Sequence, residues 1–193
     1  MSTPAHSIHL NSQIAAYLSQ LDSIEADFRK LVDSLNDEQL HWSPQPGRWS
    51  IAGCLVHLTL TAGKFLPVLD NAIEKGRAGG LFCDGPFTQP GRLINWLIQW
   101  TEPPVRFKGK APRSFSPSVR QPAAEVLRDF ERSQRELRDR VRQASGLHLS
   151  RIKLSHPALP LLRYTLGQAF AQILAHERRH VWQAWQVRNK LPS

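Results

Sequence analysis

The sequence predicts an all-α protein, a four-helix bundle with a long crossover between its second and third helices. Three observations lead there. Apolar residues recur at helical spacings in four long segments. Pro- and Gly-rich stretches separate those segments, and little of the chain alternates as a half-buried strand does. The stretch 81–121 is too long for a simple turn, and bundles commonly carry one such connection. The 193 residues suit one domain over 1–193, without internal repeats or low-complexity segments.

The first helix is expected over 8–34, where Ile14, Leu18, Leu21, Phe28, Leu31 and Leu35 form an amphipathic stripe. Residues 36–40 read as a capped short turn. Residues 41–47, with Pro44 and Pro46, read as a loop. Ser50 is a good N-cap for the second helix, whose stripe is Ile51, Leu55, Leu58, Ala62, Phe65, Leu66, Leu69 and Ile73. Pro67 should kink it, and Gly76 with Gly79 and Gly80 should end it. Within the crossover, residues 93–100 fit a short helix across the bundle, with Asn95, Trp96 and Trp100 as packing residues. The third helix is expected to start at Pro122 and run to Ser145, with Gly146 as C-cap. Residues 148–164, with Pro157 and Pro160, read as a loop in which 151–154 alternate weakly. The fourth helix is expected over 165–189.

The net charge of +9 raises the question of nucleic acid. The densest basic patch, 128–142, interleaves Arg with Asp129, Glu131, Glu136 and Asp139, as a solvated helix face does. No base-reading motif accompanies it, so no specific nucleic-acid partner is expected, while the same charge would attract an anionic small molecule. The N-terminal residues lack a basic segment followed by an apolar run, and no stretch is expected to reach the roughly 18 apolar residues of a membrane span. A cytoplasmic protein without membrane contact is the expectation. Cys54 and Cys83 are then reduced thiols. Cys54 lies one turn before His57, but a small buried residue is the preferred reading over a ligand.

The chemistry concentrates near the end of the chain, in His176-Glu177-Arg178-Arg179-His180. Imidazoles at this spacing project from one helix face and can grip one metal ion. With Leu166 at zero on a wheel of about 100° per residue, His176 falls near 280°, His180 near 320° and Glu177 near 20°, so all three border or face the apolar stripe. A third ligand is needed, and His57 on the second helix is the candidate. Three neutral imidazoles leave a coordination position open, which is the catalytic rather than the closed structural arrangement. Zinc is the first choice, with nickel, iron and copper also suited to imidazole. The opposing reading makes both histidines surface or interhelical residues bonded to carboxylates. His6, His9, His41, His148 and His156 lie in termini or loops and read as ordinary polar residues.

His-Glu-x-x-His is also a peptidase motif, with the Glu as general base and a third ligand downstream. Residues 181–193 hold no His, Asp, Glu or Cys, so that reading is set aside.

The run Arg48-Trp49-Ser50-Ile51-Ala52-Gly53-Cys54-Leu55-Val56-His57-Leu58 resembles the opening of the second helix in the DinB/YfiT-like family, a Trp-Ser-Ile/Ala start with a His one turn further in. Residues 160–168 and Ala175-His176-Glu177-Arg178-Arg179-His180-Val181-Trp182-Gln183 resemble that family's last helix. The resemblance implies a four-helix bundle whose divalent metal (zinc, or nickel, iron or manganese) is held by His57, His176 and His180. It also implies a homodimer, and a small-molecule substrate used with a low-molecular-weight thiol, as in bacillithiol transferases and a mycothiol-dependent maleylpyruvate isomerase. Family analogy does not fix the substrate.

The functional expectation is a metal-dependent transferase or hydrolase that activates a thiol or water toward a small electrophile. Glu177 is its candidate catalytic residue, as base or ligand orienter, with an Arg178 or Arg179 ion pair as the alternative. The rival is a non-catalytic, metal-stabilised bundle acting as a binding or stress-response module. Trp49 reads as a packing anchor. Tyr164 and Arg163 read as pocket-mouth residues, and Thr61 as bonded to its own backbone.

Overall fold

A computed structural model describes residues 12–83, 91–105, 115–117 and 121–192. His6, His9 and the expected first turn at 8–11 lie outside the described residues, as does much of the crossover. The described chain is mostly helical with one small sheet: α1 (Ser12–Val32), α2 (Asp37–His41), α3 (Ile51–Ala78), α4 (Arg92–Thr101), α5 (Ala123–Gln143), β1 (Lys153–His156), β2 (Leu159–Thr165) and α6 (Leu166–Arg188).

Local chemistry sets the boundaries. Asn36 and Gln39 form a reciprocal capping box at α2, and Thr165 with Gln168 does the same at α6. The Ser50 hydroxyl accepts from Gly53 N at 3.0 Å and starts α3 as expected. α3 runs through Pro67 without a break, and that ring faces outward. α5 is slightly shorter than its periodicity suggests, with Ala144 as C-cap. Gly146 follows at a φ of 76°, a conformation that favours glycine.

The apolar stripes of α1, α3, α5 and α6 meet in one core. α1 packs on α5 and α6, and α3 packs on the same two helices. Every member of the predicted α3 stripe is buried. By length and composition α3 is long and apolar enough to cross a membrane, which corrects the expectation that no stretch reaches that size. Its apolar residues are spent on the core instead, with 56% of the apolar window buried inside the fold. The Cys54 thiol is buried there too, and burial pushes it up to about 12, so it remains a protonated core residue.

The region 148–164 corrects the sequence reading. It is a β-hairpin, with Lys153 opposite Thr165, Leu154 opposite Tyr164 and Ser155 opposite Arg163, and an irregularity before His156. β1 packs against both α3 and α6. Ile152, just before β1, sits over Gly76, where an added Cβ would come within 2.3 Å of its Cδ1. Gly76 is thus a packing residue in the last turn of α3, and Gly79 caps the helix as expected. Gly76→Val is expected to destabilise the protein by about 2–3 kcal/mol through overpacking, read as a lower denaturation midpoint at unchanged m-value.

The basic face of α5 is largely paired. Arg138 bonds Asp22 and Glu25 of α1, and Arg140 grips Asp70 of α3 with two nitrogens. α4 lies on α6 through polar contacts: Gln168 donates to Asn95 at 2.9 Å, and Arg178 bonds Glu102. Asn95 is therefore a packing residue, whereas Trp96 and Trp100 stack on each other and remain 46% and 41% exposed.

Candidate metal centre

The seam between α3 and α6 brings the three predicted imidazoles together. His57, His176 and His180 each place a ring nitrogen within 4.8 Å of the others, a group that can hold a metal ion. Ring centroids are 5.0 Å apart for His57 and His176, and 4.5 Å for each of the other two pairs. The i,i+4 spacing on α6 stacks two rings on one face, and α3 supplies the third from across the seam.

His57 is oriented by the end of the crossover. Its Nδ1 donates to the carbonyl of Phe115 at 2.6 Å. A carbonyl can only accept, so the proton sits on Nδ1, and Nε2 turns its lone pair toward His176 Nε2 at 3.2 Å. Metal-bound histidines characteristically donate their second nitrogen to such a partner. Trp49 closes one side, its ring 4.7 Å from His57 and 5.6 Å from His180. It packs as predicted, and what it packs on is the imidazole cluster. Thr61 bonds the His57 carbonyl at 2.8 Å, as a buried threonine is expected to do.

All three rings are held neutral. Burial lowers His57, overriding the Phe115 bond that pulls the other way. His176 falls to about 3, first through burial, then through any charge on His57, Arg179 and His156. Burial also drives His180 far down, aided by His176, His57 and Arg179 and opposed by a hydrogen bond to Gln183. A metal needs the neutral ring, which keeps one nitrogen free of a proton, and burial favours that form in all three.

The donor set fits a divalent cation on a further count. His180 Nδ1 is buried and has no hydrogen-bond partner among the described residues. An unsatisfied buried nitrogen costs about 1–3 kcal/mol, and a cation among the three rings would remove that cost.

Glu177 stands elsewhere. Its side chain is buried, and Oε1 accepts from Gln134 Nε2 of α5 at 2.7 Å. The carboxyl therefore faces α5, outside the imidazole group. The predicted Arg178 alternative is also replaced, because Arg178 is drawn to Glu102 and Gln20. Tyr164 is buried, with its hydroxyl pushed up to about 12 by burial, and Arg163 is exposed.

Two features of the surroundings escaped the sequence reading. The Phe115 carbonyl is a backbone group with no signature in side-chain identity. His156 read as a loop residue, yet it ends β1, and its charge would be felt at His176. Around the rings, Lys64 Nζ lies 5.1 Å over the Phe115 ring, and Arg179 projects its charge onto both α6 histidines.

A family model described as the DinB superfamily matches residues 20–184, a span that includes all three imidazoles. No curated protein and no solved structure matches the chain.

Proposed function

This chain belongs to the DinB superfamily, and from that premise we propose that it is a metal-dependent enzyme of transferase or hydrolase type acting on a small electrophilic molecule. In this reading α1, α3, α5 and α6 form a four-helix bundle, and His57, His176 and His180 are the protein ligands of the metal. The observation that carries the proposal is the convergence of three neutral imidazoles from two helices within 4.8 Å.

Three protein ligands leave room for a fourth, exchangeable partner. When bound, a divalent cation (zinc first, then nickel, iron or manganese) supplies the Lewis acidity that ionises a thiol or water near neutral pH. The chain supplies the rest. The Phe115 carbonyl fixes the His57 tautomer, Trp49 walls one side, and the cations of Lys64 and Arg179 favour an anionic reactant. Glu177 is given a structural part, since its carboxyl is committed to Gln134.

The test loads the protein with zinc and supplies a panel of low-molecular-weight thiols with a chromogenic aryl halide. Metal-dependent thioether formation, abolished by chelation, is the expected result. A scan of activated esters under the same conditions separates the hydrolase arm. A wild-type protein that binds no divalent metal overturns the proposal. Conversion unchanged by chelation does the same, and so does a metal that is tightly held but never exchanges its fourth ligand, which favours the non-catalytic stress-response module.

A further inference from the structure

His156 belongs to the same seam as the three imidazoles without being one of them. β1 bridges α3 and α6, the two helices that carry the cluster, and His156 is its last residue. Its ring meets the edge of Phe65 at 5.1 Å and lies 6.0 Å from Tyr164. Phe65 continues the α3 face of His57 and Thr61, two helical turns along.

The hairpin turn fixes the ring's tautomer. His156 Nδ1 accepts from two amides, Ala158 N at 3.0 Å and Leu159 N at 3.2 Å. Both partners are donors, so Nδ1 carries no proton, and in the neutral ring the hydrogen is on Nε2. That N–H has no hydrogen-bond partner among the described residues. A half-buried donor of fixed tautomer, packed on the α3 face that carries His57 and close enough for its charge to act on His176, suits an anionic group, and Lys64 over the Phe115 ring and Arg179 acting on His176 add positive charge around the cluster.

We propose that His156 is the positioning residue that selects, at the three-imidazole centre, ligands carrying an acidic group beside their metal-binding atom. This rests on the metal-centre reading above and adds the class of ligand. The ligand's donor atom takes the open coordination position, and its carboxylate receives the Nε2–H of His156.

The test uses full-length protein loaded with Co²⁺ and two probes, mercaptoacetate and 2-mercaptoethanol, followed by the thiolate-to-cobalt charge-transfer band. Both carry the thiol, and only the first carries the carboxylate. His156→Ala is expected to weaken mercaptoacetate by about tenfold while leaving mercaptoethanol within about twofold, the loss expected for one hydrogen bond to a charged group. His156→Phe fills the same slot between Phe65 and Tyr164 without a donor and should behave alike. His156→Gln, which restores an N–H, should recover part of the loss. Equal losses for both thiols, or no loss for either, overturn the assignment to His156. A wild-type protein that takes up no Co²⁺ instead overturns the metal centre, so the two failures are told apart.

Discussion

His180→Ala is expected to lower divalent-metal affinity by more than ~100-fold, beyond the ~10–100-fold typical of losing an outer-shell partner. The group consists of three nitrogens, and the substitution leaves two, on different helices. It also removes the buried Nδ1 that has no partner among the described residues. Elemental analysis of purified protein gives the first readout, and heat denaturation gives the second. Metal at a hundred times its dissociation constant stabilises the wild type by about 2.7 kcal/mol, or roughly 5–10 °C in a domain of this size. The variant should gain nothing from added metal. His57→Ala should show the same pattern from the opposite helix, which a defect confined to α6 would not produce. Undiminished metal content in both variants would place the ion at other ligands and remove the site.

What the sequence made legible follows from how local each feature is. The pair His176 and His180 is a property of one helix, so spacing alone puts both rings on one face. His57 needed a second helix to be laid alongside the first, and its place among the ligands came from the resemblance. The helices themselves were legible because each carries its own apolar stripe and capping residues. The hairpin was not. β2 carries exposed Leu159, Pro160, Leu161 and Arg163 before its buried end, so it lacks the alternation that marks a strand. His156 was hidden with it. The partner of Glu177 was misread for the same reason: the sequence offers adjacent arginines, but the fold places Gln134 against the carboxyl and sends Arg178 to Glu102.

Glu177→Gln is expected to stabilise the protein by about 3 kcal/mol at pH 8 and to have almost no effect near pH 4.5. The Glu177 carboxyl is fully buried, and burial raises it from an ordinary value near 4.5 to about 7, against the Gln134 bond and the Arg178 charge that pull it down. The folded protein therefore holds a proton on Glu177 that the unfolded chain releases above pH 4.5. Between that value and about 7 the folded state binds more protons, so stability falls as pH rises, by about 1.4 kcal/mol for each unit of separation. Hydrogen bonding supports the same conclusion. A protonated Glu177 carries its own donor, and the amide introduced by the substitution keeps a donor there at every pH, whereas ionised Glu177 leaves Oε2 and Gln134 Oε1 as buried acceptors without a partner among the described residues. The check is the difference in unfolding free energy between variant and wild type from pH 4.5 to 8, in which the titration of every other group cancels. A difference that does not grow with pH would mean Glu177 is already ionised in the folded protein, sharing its charge with a group other than Gln134. Metal affinity carries the functional half of the comparison. If Glu177 stands outside the imidazole group, Glu177→Gln leaves it unchanged within about threefold, whereas a loss beyond tenfold would return the carboxyl to the metal centre.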